Sequence, residues 1–260
     1  MKILAIIGSP RKKNSTKIIN IIEEEIKKRE NVFFEYIYLK EIYLGYCIGC
    51  GKCMTNEEGC PLIKEKDDFF KIIKEKLLNS DIIIFSSPVY SNNVTALMKN
   101  FLDRFHYLVF RPMLTEKKAI VLSTAAHTGL KTVLDYLDFT ARSWGCHLIG
   151  KMGILMTEFN DDNSYKEKIT TEINSIVNKI IKVKNNILNR KPDFIDLLIF
   201  KDSKERIINN YKKFGDKMEI LYKFWEQRGW LTNDYFFDYK INPITKFLLK
   251  FKRLDLSRND

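Results

Sequence analysis

Long apolar runs are missing from this 260-residue sequence. Stretches such as Ile3 to Ile7 and Ile82 to Phe85 are strand-sized, far short of the roughly 20 residues that cross a bilayer, so no transmembrane helix is expected. Met1-Lys2 runs straight into a strand-like segment, with no apolar stretch ending in small residues. A signal peptide is therefore not expected, and a cytoplasmic location follows. Internal repeats and low-complexity tracts are also missing. Histidine is scarce, and His106, His127 and His147 share no metal-like spacing. Lys and Arg number 44 against 33 Asp and Glu, a formal net charge of +11. With no recognition-helix signature and no aromatic RNA-binding motif, that charge is not assigned to nucleic acid. It reads as a Lys-rich solvated surface, or as attraction for an acidic protein partner.

What is present is a strand-helix alternation. Lys2 to Gly8 is a continuous apolar run with β-branched residues, as a strand buried on both faces should be. Asn14 to Arg29 then turns helical, with Ile18, Ile19, Ile22 and Ile26 on one stripe. Strands follow at 33–39, 81–86, 118–123 and 148–156. Helices are expected at 67–78, 94–108, 130–144 and 164–188. Such alternation implies right-handed crossovers and an α/β fold with a doubly wound parallel sheet of about five strands. Ligands of such sheets bind at the carboxyl ends of the strands. Arg190-Lys191-Pro192 marks a boundary, which divides the chain into 1–188 and an aromatic-rich helical extension at 189–260. Near its end Ile244, Phe247, Leu248, Phe251 and Leu254 share one helical face. That face is expected to pack on the main domain or on a second subunit, with a membrane-surface helix as the alternative.

Three loops fall at the carboxyl edge of the expected sheet. Gly8-Ser9-Pro10-Arg11-Lys12-Lys13-Asn14-Ser15-Thr16 joins the first strand to a helix start. Free backbone N–H groups and the hydroxyls of Ser9, Ser15 and Thr16 suit a phosphate monoester there. It is neither a Walker loop nor a dinucleotide fingerprint. The plainer alternative is a polar helix cap at Asn14 or Ser15. Ser87-Pro88-Val89-Tyr90-Ser91-Asn92-Asn93 offers a rigid Pro, a flat aromatic and amides that could face a planar ring. Thr124-Ala125-Ala126-His127-Thr128-Gly129 is small enough for close backbone approach.

Four of the five cysteines are gathered between Cys47 and Pro61, as Cys47, Cys50, Cys53 and Cys60. In a reducing compartment stable disulfides are disfavoured. Three thiolates at steps of three can wrap one face of a cubane, and the Cys60-Pro61 ending resembles ferredoxin-type runs. Gly49, Gly51 and Gly59 let the backbone curl around inorganic sulfide. Zinc prefers paired knuckles separated by a longer insert. The spacing thus favours a [4Fe-4S] cluster, with zinc and metal-free thiols as alternatives. Cys146 stands apart and reads as a buried structural residue.

The Gly-Ser-Pro-Arg-x-x-Asn-Ser-Thr loop, the Ser-Pro-Val-Tyr segment and Leu97-Met98-Lys99-Asn100-Phe101-Leu102-Asp103-Arg104 resemble the flavodoxin-like NAD(P)H-dependent FMN reductases. With the cysteine loop at 45–63, the chain is most similar to the iron-sulfur flavoproteins of that superfamily. The likeness covers roughly residues 1 to 160. It implies a flavodoxin-like fold in which Ser9, Arg11, Asn14, Ser15 and Thr16 hold the FMN phosphate. Pro88, Val89, Tyr90, Ser91 and Asn92 would border the isoalloxazine. Thr124, Ala125 and Gly129 match only in position and small size. Asp103 and Arg104 match the motif, and a helix-stabilising ion pair explains them equally well.

The function expected is that of a flavin-dependent oxidoreductase with FMN and one four-iron cluster, linked to NAD(P)H or to a ferredoxin, and homo-oligomeric. No acid–base catalytic side chain is expected, because the flavin carries the chemistry. An NAD(P)H-dependent FMN or quinone reductase without a cluster, and a non-enzymatic flavodoxin-like carrier, are the alternatives.

Overall fold

The computed structural model describes residues 1–56, 60–185 and 191–254. Gly59, the boundary read at Arg190 and the last residues of the helix expected through Leu188 lie outside the described residues. Five strands form one parallel sheet: β1 (Lys2–Ile7), β2 (Phe33–Tyr38), β3 (Ile82–Pro88), β4 (Lys118–Ala125) and β5 (His147–Leu155), in the order β2-β1-β3-β4-β5. The order reverses between β1 and β3, so the loops leaving those two strands diverge and open a crevice at the carboxyl edge.

Register sorts the side chains by face. Ile3, Ala5 and Ile7 pair with or neighbour Ile82 and Ile84, and with Ile120 and Leu122 of β4 they build one core. Helices α1 (Asn14–Lys27) and, later in the chain, 163–184 cover it with Ile18, Ile19, Ile22, Ile173 and Val177. The other face carries Leu4, Ile6, Ile83, Phe85 and Val121. The short α2 (Lys52–Thr55) touches this core through Cys53, and the face itself lies under α3 (Phe70–Asn79), α4 (Ala96–Arg104) and α5 (Leu130–Ser143), through Ile73, Phe101 and Leu137, with Phe105 just beyond α4. Each such side chain contributes about 1.5–3 kcal/mol when fully buried. Cys146 is buried beside Trp144 in this second core, in keeping with a structural role.

Several boundaries differ from the sequence expectation. Phe105 leaves the helical region at φ −96, ψ 10, so α4 stops at Arg104 and a 3-10 turn spans His106–Val109. The helix expected from Asp67 starts at Phe70, because Asp68 turns back and accepts the Phe70 N–H at 2.8 Å. Met156 opens a short helix, α6 (Met156–Asp161), instead of ending the last strand, and α7 (Asn163–Lys184) follows.

Beyond it, α8 (Phe194–Phe214), α9 (Glu219–Glu226) and α10 (Pro243–Phe251) surround a third core of Leu197, Phe200, Leu221, Trp225, Trp230 and Tyr235. Arg142 of α5 ties it to the sheet unit through Asp193 at 2.9 Å and Asp196 at 2.7 Å. Trp225 donates its indole N–H to the Phe110 carbonyl at 2.7 Å. Of the two packings expected for the apolar face, the one on its own chain is made by Leu254 but not by most of the face, which is open in the single chain. Ile244, Phe247, Leu248 and Phe251 are exposed, and Leu249 is the residue of α10 that turns inward. Periodicity names the residues that share a face, while the direction of the chain entering at Pro243 decides which face meets the core. No helix among the described residues is long and apolar enough to cross a membrane.

Candidate functional site

The loops leaving β1, β3 and β4, together with α6, enclose a cleft of about 400 Å³ at the carboxyl edge, within the range of small-molecule and cofactor sites. Ser9, Arg11, Asn14, Ser15, Pro88, Val89, Tyr90, Thr124 and Ala125 all line it. Nine positions singled out from sequence therefore meet in one cavity.

At its base the first turn of α1 lies open. The capping position is Lys13, which makes no side-chain cap, and no acidic residue occupies the first turn. Asn14 and Ser15 are thus helical residues and not the cap. Their N–H groups have no partner one turn back, which leaves donors and a partial positive charge at the cavity wall. The Ser15 hydroxyl meets that of Thr124 at 3.1 Å in a buried pair. Ser9 folds its hydroxyl onto the Arg11 carbonyl at 2.7 Å. Such a wall, rich in N–H and O–H donors with Arg11 beside it, fits a phosphate monoester.

Thr16, Ser91, Asn92 and Gly129 do not line the cleft. Thr16 is buried on α1, and its hydroxyl has no hydrogen-bond partner. Ser91 and Asn92 sit at φ 48 and 61. They are the centre of a tight turn closed by reciprocal N–H···O bonds between Tyr90 and Asn93 at 2.8 and 2.9 Å. Both central residues having positive φ is the geometry of a type I′ turn; it holds the Tyr90 ring, 41% exposed, at the rim. Gly129, at φ +86, lets the β4 loop pack against this turn, and an added Cβ would lie 2.5 Å from Asn92 Oδ1 and 2.6 Å from Val89 Cγ1.

Lys13, Ala126, Met156, Thr157, Asn160 and Asp161 complete the lining and were not singled out from sequence. Ala126 and Lys13 lay inside the loops already marked. The α6 residues carried no signal, because six residues are too few to show a period. Thr157 secures that wall by donating to the Ala126 carbonyl at 2.7 Å.

The cysteine loop leaves the carboxyl end of β2. Cys47 and Cys50 are exposed, Cys53 on α2 is half-buried, and Cys60 is buried. Gly49 and Gly51 take the left-handed region at φ 64 and 66, so the backbone curls between the first three cysteines. Its entry is clamped from α4. Asn100 donates to the Leu44 carbonyl at 2.7 Å, and Arg104 donates to the Gly45 carbonyl at 2.6 Å while pairing with Asp68. Asp103 does not pair with Arg104; its partner is Lys99. Arg111 closes the far end by donating to the carbonyls of Cys53 and Asn56.

Burial pushes the Cys53 thiol pKa upward. Cys60, Cys47 and Cys50 add to the rise and Arg111 opposes it, so the four sulfurs share one electrostatic neighbourhood. Among the described residues no group of three or more His, Cys, Asp or Glu is drawn together as a metal site. The donor set is nevertheless all sulfur, the chemistry that suits iron-sulfur groups.

Residues 1–161 match the family of NADPH-dependent FMN reductases. An iron-sulfur flavoprotein of Archaeoglobus fulgidus is 28% identical over 237 residues, 89% of this chain and 100% of that protein. An iron-sulfur flavoprotein of Clostridioides difficile is 29% identical over 243 residues, 88% of this chain and 99% of its own length. Among solved structures, an NADH:FMN oxidoreductase in its apo form superposes with a TM-score of 0.51 at 19% identity, covering 74% of this chain and 91% of that one. RosB, solved with a bound formylriboflavin phosphate intermediate, superposes at 0.52 and 12% identity, covering 94% of this chain and 92% of its own. Both share the fold.

Proposed function

Because this chain belongs to the NADPH-dependent FMN reductase family and is a flavin-dependent oxidoreductase, we propose that it is an iron-sulfur flavoprotein passing electrons between a [4Fe-4S] cluster and FMN. One observation carries the reading. The polar cleft and the four-thiol loop both occupy the carboxyl edge of the same sheet, the cleft after β1, β3 and β4 and the loop after β2. The names of the two relatives aligned over almost 90% of the chain support it.

In this reading the open first turn of α1, Ser9, Arg11, Ser15 and Thr124 bind and neutralise the FMN phosphate, with Thr16 supplying a buried hydroxyl behind them. Pro88, Val89 and Tyr90 wall the ring, held by the turn at Ser91 and Asn92 and by the close approach at Gly129. Cys47, Cys50, Cys53 and Cys60 hold the cluster. When bound, FMN takes up two electrons together and releases them singly, while the cluster moves one at a time. The protein binds, orients and excludes water; no side chain needs to move a proton.

The excess of Lys and Arg supports an acidic donor such as a ferredoxin, in which case the rate of electron transfer should fall as salt rises. The exposed apolar residues of α10 support a homo-oligomer. An anaerobic absorption spectrum with iron, sulfide and flavin assays tests the main reading. Bands of flavin overlaid on broad cluster absorption, with four irons per chain, are expected. Bound flavin without iron after anaerobic reconstitution overturns it. That outcome leaves the second reading, suggested by the family match, in which NADPH reduces the flavin and the cysteines hold nothing.

A further inference from the structure

Thr95 caps α4 and is buried, at 2% exposure. It does not line the cleft, yet it bonds to two of the segments that shape it. Its hydroxyl accepts the Met98 N–H at 3.1 Å and donates to the Gly8 carbonyl at 2.6 Å. Its own N–H donates to the Ser87 hydroxyl at 3.1 Å, and Ser87 in turn donates to the Pro88 carbonyl at 3.0 Å. One residue thus ties the start of the loop after β1 to the end of β3, where the Pro88 wall begins.

Capping alone does not explain these bonds. A threonine at a helix start needs only the Met98 contact to serve as a cap. The bond to Gly8 joins residues 87 apart in sequence. It falls where the sheet order reverses between β1 and β3, the point at which the two loops diverge and ligands bind. An added Cβ at Gly8 would stand 2.7 Å from Met98 Cβ and 3.1 Å from Thr95 Oγ1, so the first turn of α4 lies directly against the backbone of the phosphate loop. Gly8 also donates its N–H to the Ser86 carbonyl at 2.8 Å. The spacing of the two loops is therefore held from beneath, by a residue outside the cleft.

We propose that Thr95 is the positioning residue that fixes the separation between the phosphate loop and the ring wall, so that one flavin can engage both at once. This rests on the reading above that FMN occupies the cleft. Two contacts joined in one ligand reinforce each other only when their sites stand at the span of the linker, here the ribityl chain. Thr95 acts through Gly8, Ser87 and Pro88. Loss of its hydroxyl leaves each loop its own shape, because Ser9 still folds onto the Arg11 carbonyl and the Tyr90 turn closes on itself. What it releases is one loop from the other.

The test uses the full chain, freed of flavin, as wild type, Thr95→Val, Thr95→Ser and Ser87→Ala, with the binding of FMN and of riboflavin followed by fluorescence quenching. Riboflavin has the ring and no phosphate, so it engages the ring wall without sensing the spacing. Thr95→Val keeps the side-chain volume and removes the hydroxyl. It should weaken FMN about tenfold and leave riboflavin within about twofold of wild type. Thr95→Ser restores the hydroxyl and should recover most of the FMN affinity. Ser87→Ala removes the other half of the tie while the Met98 cap stays, and should also weaken FMN alone. The proposal is overturned if Thr95→Val binds FMN as wild type does, or if it loses FMN and riboflavin by the same factor, the pattern of a cap that only holds the fold. If Thr95→Val does not fold, Ser87→Ala decides by the same comparison. Wild-type protein that binds FMN no tighter than riboflavin is a different result: it sinks the placement of the phosphate in the cleft, and the proposal falls with it.

Discussion

Arg104 and Asp68 form an ion pair at 2.6 Å with both side chains fully enclosed, and between them they hold both backbone groups of Gly45. Arg104 donates to the Gly45 carbonyl, and Asp68 accepts the Gly45 N–H at 3.0 Å. A pair from α4 and the chain just before α3 thereby fixes where the cysteine loop begins. Removing one partner leaves the other charge buried alone, which costs about 3–5 kcal/mol. Arg104→Met should lower stability to urea by that amount. Asp68→Asn, which keeps an acceptor for Gly45, should cost less.

Ser15→Ala removes one donor from the open end of α1 and its partner from Thr124. A hydrogen bond to a charged group contributes about 1.5–3 kcal/mol, so FMN affinity should weaken by roughly ten- to a hundredfold. Riboflavin, which lacks the phosphate, should bind both proteins equally. Fluorescence-quenching titrations with the two flavins measure the difference, and an equal loss for both would place the phosphate elsewhere.

Gly129→Ala introduces a methyl 2.6 Å from Val89 Cγ1 and 2.5 Å from Asn92 Oδ1, at a φ of +86 that L residues rarely adopt. Backbone strain alone costs roughly 1–2 kcal/mol. The Tyr90 turn must shift, so a lower melting temperature should come with weaker flavin binding. Loss of stability with unchanged flavin affinity would show that the turn does not touch the ring.

Cys50→Ser should lose iron and sulfide while flavin stays. Cys50 is exposed, and substitutions at such positions usually change stability by no more than about 0.5 kcal/mol. Metal analysis and flavin absorbance on one preparation check both halves.

Glu35 of β2 carries the pH prediction. Burial would raise its pKa, but Lys76 and Lys2, the latter at 2.9 Å, bond the carboxylate and hold it below its ordinary value. A depressed carboxyl means that the unfolded chain binds more protons in acid. The stabilisation is complete above the unfolded pKa and is lost as pH falls through the folded one. Glu35→Gln should be less stable than wild type at neutral pH, and the gap should close as pH falls below the ordinary carboxylate range. Urea midpoints across that range measure it.

The parts of the molecule that were legible from sequence share a cause. Buried parallel strands need β-branched runs, so Ile3 to Ile7 and Ile82 to Phe85 announced themselves. The loops after them inherited their place from the topology, and Ser9, Ser15, Pro88, Tyr90 and Thr124 came together accordingly. The α6 wall did not show, since Met156 to Asp161 is one and a half turns with no stripe. The roles of Asn100 and Arg104 were hidden for another reason. Their partners Leu44, Gly45 and Asp68 lie far away in sequence, and a motif alone does not name its contacts. The period of α10 named the residues of its apolar face but not what covers them, because a helical period is blind to what lies opposite.

Cys53 is made early, but the surface that holds its helix is made late. Helix α2 rests on α9, and Met54 packs into the core around Trp225. At about 5–20 residues per second, a ribosome reaches α9 roughly 10–35 s after Cys53. For that interval the thiols of a nascent chain stand without their back wall. The back wall of α2 is thus completed only after the extension has been translated, so the resting place of the loop's third cysteine depends on chain made more than 160 residues later.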